Sequence, residues 1–177
     1  MADQSRITVR RAAKEDMADV LLMIQELAKF EKMTNEPSLT VEDLHRDGGF
    51  LSSTDPTTFV CFIAETEHDG KRASTGYAIV FNGYSTWLGR TLKLKDFYVK
   101  DGYRHLGIGR RLIKAIAEHA KEVNASRLYF HVLEWNTAAR RFYESMGATN
   151  WTESEEWNLL RLDKNAIDDL VKTKVVQ

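Results

Sequence analysis

Hydrophobic positions in the first part of the chain follow first the period of a strand and then that of a helix. Residues 7–10 have the pattern of a short strand, and from residue 16 to about residue 30 apolar side chains recur at intervals of three and four. After Pro37, Thr40 is followed three residues later by Asp43, a capping pattern that predicts a short second helix. The chain is therefore expected to open with a strand and two helices.

Two β-rich runs follow, at residues 58–65 and 74–81. Asp69 and Gly70 between them tolerate the positive φ of a tight turn, so the two runs are predicted to form a hairpin, and a third strand is predicted at residues 91–99. The elements predicted after it are a helix at 109–123, a strand at 127–133, a helix at 137–146 between Asn136 and Gly147, a strand at 156–162 and a helix at 165–172. This order predicts one α/β domain over residues 1–177.

The strand at residues 91–99 has a slip in its alternation. Apolar residues occupy Leu92 and Leu94, and the alternation resumes at Phe97, one residue out of phase. A β-bulge at Lys95-Asp96 would explain the slip and would free backbone groups that could hold an extended amide chain. An irregular strand at the edge of a sheet explains the same pattern.

A glycine-containing segment lies between this strand and the next helix. Residues 104–110 read Arg-His-Leu-Gly-Ile-Gly-Arg. Glycines allow close approach of the backbone to a ligand, and a helix N-terminus attracts anions, so the segment suits a diphosphate. It lacks the Gly-Lys-Ser/Thr ending of a nucleoside triphosphate loop, and Leu112 stands where a dinucleotide fold would have a third glycine. A plain glycine turn into a helix is the alternative.

Composition narrows the range of partners. Hydrophobic residues make up 43% of the 177 residues, enough for a core without disulfides, and the net charge is -1. Because there is no basic excess, nucleic acid is not expected as a partner. The single cysteine, Cys61, lies in an apolar run and is expected to be a small buried hydrophobe, not a nucleophile.

Further expectations concern membranes and metals. No stretch approaches the roughly 18 apolar residues of a membrane helix, and the first residues lack an apolar signal core. The chain is therefore expected to be cytoplasmic and to have no membrane partner. The five histidines show no spacing typical of metal ligands, so no metal is expected.

Taken together, these motifs resemble a known family. Arg-x-x-Gly-x-Gly after a bulged strand resembles the acyl-CoA pyrophosphate signature of the GNAT superfamily of N-acetyltransferases. That fold is α/β (α+β): a mixed, mostly antiparallel sheet with a bulged central strand, flanked by helices. From Ile7 to about Leu162 the chain is similar to the diamine (spermidine/spermine) acetyltransferases, and most to their thialysine N-epsilon-acetyltransferase branch. The likeness is carried by residues 26–31, 85–91, 96–99, 103–109, 134–136 and 142–143.

The resemblance implies a homodimer and acetyl-CoA as the co-substrate. It assigns cofactor binding to the bulged strand, to the glycine segment and to the start of a later helix. The implied residues are Phe97, Tyr98, Val99, Arg104, His105, Leu106, Gly107, Ile108, Gly109, Arg110, Asn136, Thr137, Ala138 and Ala139.

The resemblance also implies a small amine as the acyl acceptor. Carboxylates and aromatic faces suit an ammonium group. The implied acceptor-binding residues are Phe30, Glu31, Trp87, Lys95, Asp96, Tyr129, Phe130, His131, Glu155 and Trp157. Lys95 departs from the family pattern, because the polyamine enzymes have Glu at this position, and this leaves the identity of the general base open.

Tyr143 matches the residue that gives its proton to the departing thiolate in this family. It shares a helical stripe with Ala139, Phe142 and Met146, so its ring can pack while its hydroxyl faces a crevice. From the residues alone, a buried tyrosine whose hydroxyl bonds to a backbone carbonyl is the favoured interpretation of this position.

The amine has to be deprotonated before it can attack. At neutral pH only about one alkylammonium in a thousand is free base, so the site must accept a proton. We expect direct transfer in a ternary complex, with Glu31, Asp96 or a water chain between them as acceptor. Two rivals stay open: an acyltransferase that acts on protein lysines or N-termini, and an acyl-CoA-binding module without turnover, which Lys95 keeps open.

Overall fold

The computed structural model describes residues 6–35, 37–52, 54, 56–155 and 159–172. Contacts within the chain define one compact unit that ends at His131 and a second that begins at Val132. The first unit contains the whole described sheet, and the second contains helices. The single domain expected over residues 1–177 stays a prediction.

The described residues form five strands and six α-helices. The strands are β1 Arg6–Arg11, β2 Val60–His68, β3 Lys71–Ser85, β4 Gly89–Val99 and β5 Leu128–Phe130. The helices are α1 Met17–Phe30, α2 Val41–Asp47, α3 Ile108–Glu122, α4 Thr137–Glu144, α5 Trp151–Glu155 and α6 Lys164–Lys172.

The sheet is mixed and mostly antiparallel, as predicted. Its order is β1-β2-β3-β4-β5; the first four strands are antiparallel neighbours, and β5 is parallel to β4. Asp69 and Gly70, with φ of 50° and 71°, form the two-residue turn between β2 and β3, which confirms the predicted hairpin. Helix α3 supplies the crossover that a parallel pair requires.

Helices cover both faces of the sheet. On one face α1 and α2 pack against β2, β3 and β4, and on the other face α3 packs against the same strands. The first face buries Met17, Val20, Met23, Ile24, Leu44, Cys61, Ile63, Tyr77, Ile79 and Tyr98. The second buries Phe62, Ala64, Ala78, Val80, Leu94, Ile108, Leu112 and Ile116. Each large apolar side chain buried in this way stabilises the fold by roughly 1.5–3 kcal/mol relative to exposure.

The register of β3 and β4 confirms the predicted bulge. Ile79 lies opposite Asp96 and Val80 lies opposite Leu94, which leaves Lys95 without an opposite residue. One extra residue in β4 therefore shifts the alternation between Leu94 and Asp96. Because of the shift, Asp96 shares the sheet face on which α1 packs.

One expectation about the end of the chain needs correction. A strand was expected at residues 156–162; residues 156–158 lie outside the described part, and residues 159–162 form no strand. Leu159, Leu160 and Leu162 lie in an irregular segment before α6 and are exposed, and the described residues of the second unit include no strand. Helix α5 was not predicted, whereas α6 confirms the last expected helix.

The second unit confirms both predicted ends of its first helix. Asn136 caps α4, because its side-chain oxygen accepts a 3.2 Å hydrogen bond from the N–H of Ala139. Gly147, with φ of 89°, follows the last turn in a left-handed conformation. No helix among the described residues combines the length and the apolar character needed to span a bilayer.

Candidate active site

The glycine segment forms a turn that leads directly into α3. His105 and Gly107 both have positive φ, 65° and 81°, and Gly107 is the N-cap residue of the helix. A Cβ built on Gly107 would meet no atom within 4 Å, so the space beside the backbone is open. The first turn of α3 carries no acidic side chain, and its N–H groups have no acceptor within the helix. Open space, unpaired donors and a positive helix end fit a diphosphate group.

The Arg104 side chain makes its contacts with three residues outside the glycine turn. Its Nε donates to the carbonyl of Val99 at 3.2 Å, and Nη1 lies 2.9 Å from Asp101 Oδ1. The guanidinium also lies 5.2 Å from the centre of the Phe30 ring. These three contacts tie the glycine turn to the end of β4 and to the end of α1.

The end of β4 lies beyond its partner β5. Among the described residues, β5 pairs with β4 at three positions, the last of which joins Leu94 to Phe130. The strand continues through Phe97, Tyr98 and Val99 past this pairing. These residues are the ones expected to bind pantetheine, and their backbone groups on the β5 side lie beyond the ladder.

A pair of carboxylates lies on the α1 face at the bulge. Glu31 is the residue that follows α1, and Asp96 follows the unpaired Lys95. Asp96 Oδ1 lies 3.3 Å from Lys95 Nζ, and Asp96 Oδ2 accepts a 3.1 Å hydrogen bond from the Tyr77 hydroxyl. The Asp96 side chain is 18% exposed and that of Lys95 is 66% exposed. We call Glu31, Tyr77, Lys95 and Asp96 the carboxylate cluster.

The environment of this cluster raises the pKa of two of its members, Glu31 and Tyr77. Partial burial, and then the negative charge of Asp96, raise the pKa of Glu31, and Lys95 offsets part of this effect. Burial, and then the charge of Asp96, raise the pKa of Tyr77 well above its usual value of 10.0. Tyr77 therefore remains a neutral hydrogen-bond donor, and Glu31 holds a proton more readily than an ordinary glutamate does.

Other residues expected to bind the acceptor lie along β5 and at a hairpin tip. Tyr129 and Phe130 lie opposite Lys93 and Leu94, and His131 follows them. Burial, then the charges of Lys93 and Lys95, lower the pKa of His131, so that it is more fully neutral at pH 7. The Trp87 side chain, between β3 and β4, is 76% exposed.

Tyr143 is the buried residue of α4 in the second unit. Burial raises the pKa of its hydroxyl to about 12, and its ring meets the Phe142 ring edge-on at 5.4 Å. A phenol of this kind keeps its proton at neutral pH. Thr137, Ala138 and Ala139 form the first turn of the same helix.

Two further acceptor-binding expectations fall at the end of α5. Glu155 is its last residue and is exposed. Trp157 lies outside the described residues. The roles of both residues stay predictions.

Tyr77 was missed by the sequence analysis. It stands in the apolar run 77–81, and nothing local marks its hydroxyl as different from those of other strand tyrosines. Only the bulged register places it diagonally across from Asp96. Cys61, by contrast, is buried as expected, and burial raises the pKa of its thiol to about 12.

Comparison with known proteins identifies the family to which the sequence is similar. The model of the acetyltransferase (GNAT) family matches residues 21–148. Thialysine N-epsilon-acetyltransferase of Bos taurus is 35% identical over 169 residues, which cover 93% of this chain and 96% of the relative. Spermidine/spermine N(1)-acetyltransferase-like protein 1 of Homo sapiens is 34% identical over 92% of this chain, but only 23% of the relative is covered.

Comparison with solved structures shows that the fold also has a known counterpart. An integron cassette protein from V. cholerae superposes with a TM-score of 0.70 at 23% identity, covering 94% of this chain and 98% of the other. At this identity the likeness concerns the fold alone. Within the part of the chain that the structure describes, no group of three or more His, Cys, Asp or Glu side chains is placed to hold a metal ion.

Proposed function

Because this chain belongs to the acetyltransferase (GNAT) family and is an acyltransferase, we propose that it acetylates a small primary amine, with thialysine or a related lysine analogue as its preferred acceptor. GNAT acetyltransferases use acetyl-CoA as co-substrate. The carboxylate cluster is the observation that carries the proposal. Two neighbouring acids suit an alkylammonium, and a neighbouring lysine suits a carboxylate.

The charges of the cluster favour an amino acid over a polyamine. Lys95 Nζ lies beside Asp96 and can pair with the α-carboxylate of a lysine analogue whose distal ammonium binds to the acids. Two like charges about 4 Å apart repel by about 4 kcal/mol at an effective dielectric of 20, so Lys95 disfavours a second ammonium. Discrimination of this kind comes from repulsion as well as attraction.

The residues that would hold acetyl-CoA come from three segments. Backbone groups of Phe97, Tyr98 and Val99 would bind the pantetheine amides, and residues 104–110 would bind the pyrophosphate. Asn136 and residues 137–139, at the start of α4, are proposed to complete the binding. When bound, the co-substrate supplies the acetyl group as a thioester.

The chain's own groups would handle two protons. Glu31 would accept a proton from the acceptor ammonium at a carboxylate oxygen, because its raised pKa suits proton uptake, while the Asp96 carboxylate would hold the ammonium in place. A water chain between the two acids is a second route for this proton. Tyr143 would give its hydroxyl proton to the departing thiolate sulfur. N–H groups beside the bulge would stabilise negative charge on the acetyl oxygen.

Direct transfer follows from the lack of an activated nucleophile among these groups. Cys61 is the chain's single cysteine; it is buried in β2, and its raised pKa keeps it in the thiol form. The amine would therefore attack in a complex that also contains acetyl-CoA. The homodimer and the cytoplasmic location implied by the resemblance remain predictions.

A panel of amines tests the proposal through coenzyme A release. We expect kcat/KM for thialysine to exceed that for spermidine by about tenfold or more, and Lys95→Glu to narrow this ratio. Lys71→Glu, at an exposed lysine at the start of β3, is the matched control and should leave the ratio unchanged. Equal preference in the unmodified protein, or a ratio that Lys95→Glu leaves unchanged, would show that Lys95 does not set the specificity. Coenzyme A release with none of the amines would overturn the proposal.

A further inference from the structure

Among the residues that the structure describes, Tyr77 is the largest side chain with no exposed surface, and it lies next to the proposed acceptor site. It stands opposite Tyr98 in the β3–β4 ladder, while Ile79, two residues along, stands opposite Asp96. Tyr77 and Asp96 are therefore diagonal neighbours on one sheet face, a separation that an aromatic side chain spans. The hydroxyl reaches Asp96 Oδ2 at 3.1 Å.

Because Asp96 lies at the bulge, a hydrogen bond from a neighbouring side chain matters more for its orientation than it would in a regular strand. A bulge bends its strand and re-aims the side chains beside it, so the ladder alone fixes the direction of Asp96 less well than in a regular strand. Lys95, the other donor to this carboxylate, is exposed, and its long side chain loses much conformational freedom when it is held in one place. Tyr77 is the rigid donor of the two, because its ring is packed in the core.

We propose that Tyr77 is a positioning residue, whose hydroxyl holds the Asp96 carboxylate in the orientation that receives the acceptor ammonium. This role rests on the proposed function. The remaining lone pairs of the carboxylate stay available to the ammonium, since a carboxylate accepts about four hydrogen bonds in total.

A neutral donor suits this task better than a charged one. Lys95 already places one positive charge beside Asp96, and an arginine or lysine in place of Tyr77 would add a second charge that repels the ammonium. The phenol gives direction without charge. Its pKa, raised by burial and by Asp96, keeps the proton on the oxygen even at the high pH at which free amines become abundant.

Tyr77→Phe tests the role, because it removes one oxygen atom and keeps the ring. We expect the KM for thialysine to rise about tenfold, with kcat and the KM for acetyl-CoA unchanged within about threefold. Thr75→Val is the matched control. The Thr75 hydroxyl is equally buried on the same strand and bonds to Thr66 and to the Ala64 carbonyl. This variant should lose comparable stability and keep the amine KM.

The same substitution in an Asp96→Asn background separates positioning from packing. If Tyr77 acts through Asp96, the double variant should have the kcat/KM of Asp96→Asn alone, within about twofold. If Tyr77 only supports the core, its removal should lower kcat/KM by the same factor in both backgrounds. Additive losses, or an amine KM that Tyr77→Phe leaves unchanged, would overturn the proposal.

A double-mutant cycle measured by unfolding tests the role of Tyr77 without relying on the proposed function. Urea midpoints of the two single variants and of the double variant report the contact between the hydroxyl and the carboxylate without any turnover. Non-additive midpoints together with no acetylation of any amine would overturn the proposed function and leave the contact in place. Additive midpoints would overturn the role of Tyr77 whatever the activity.

Discussion

The glycine turn at residues 104–110 and the carboxylate cluster are built in opposite ways. The turn offers backbone donors, with Gly107 in a left-handed conformation and open space beside it. The cluster offers side chains from three elements, and its geometry depends on a bulge. The difference teaches that the turn should tolerate changes of side chain except at glycine, whereas the cluster should be sensitive to each charge and hydroxyl that it contains.

The largest expected effect comes from a residue that belongs to neither region. Tyr143→Phe keeps the ring and removes the proton proposed to reach the thiolate, so kcat should fall roughly 10²-fold or more. Binding of acetyl-CoA, measured by titration calorimetry, should stay the same. Tyr84→Phe, at an exposed tyrosine, is the control. A kcat within about twofold of the unmodified value would make Tyr143 a packing residue.

Gly107→Ala should damage the turn and leave the cluster intact. A Cβ there would enter the open space proposed for the pyrophosphate, so the acetyl-CoA dissociation constant should rise about tenfold, or about 1.4 kcal/mol, while the amine KM stays the same. Calorimetry would measure the change.

Gly89→Ala is a closely matched control for this variant. Gly89 has a φ of 80°, against 81° for Gly107, and a Cβ on it would also meet no atom within 4 Å. Both substitutions should carry a similar strain, about 1 kcal/mol, in urea unfolding. If both variants bind acetyl-CoA equally well, the turn is not the anion site.

The smallest expected effect concerns the charge of Glu31. Because its folded-state pKa is raised above the usual 4.5, the stability that Glu31 contributes is present below this value and is lost as the pH rises through the raised pKa. Glu31→Gln should therefore be more stable than the unmodified protein near pH 7, and the difference should vanish near pH 4. Urea midpoints at the two values measure it, with Glu15→Gln at an exposed site as control. A midpoint that shifts equally at both values would contradict the raised pKa.

Features with local signals could be predicted from the sequence. The turn at Asp69-Gly70 needs two residues of positive φ. Thr40 caps α2 through reciprocal hydrogen bonds with Asp43, as the capping pattern predicted. The bulge was visible because a slip of one residue moves every following side chain to the other face. In each case the physical cause lies within a few residues of its signal.

Features that depend on a distant partner were predicted less well. Strand β3 was expected to end at Phe81, but it continues to Ser85 because pairing with β4 extends through Gly83. A Cβ on Gly83 would lie 2.7 Å from Thr91 Oγ1, so glycine at this position permits close pairing of the two strands. The Tyr77–Asp96 contact likewise needs the register, which the local sequence does not contain.

The mixed sheet also has a consequence for the order of folding. Strands β2, β3 and β4 follow one another along the chain, and β2 and β3 are joined by a two-residue turn, so their ladders form between residues close in sequence. Strand β5 joins in parallel only after the 15-residue helix α3 has crossed the sheet. Pairing of low contact order forms faster than pairing that must close a long loop. We therefore expect the Tyr77–Asp96 contact between β3 and β4 to form early, and the pairing of β5 with β4 and of β1 with the distant β2 to form later.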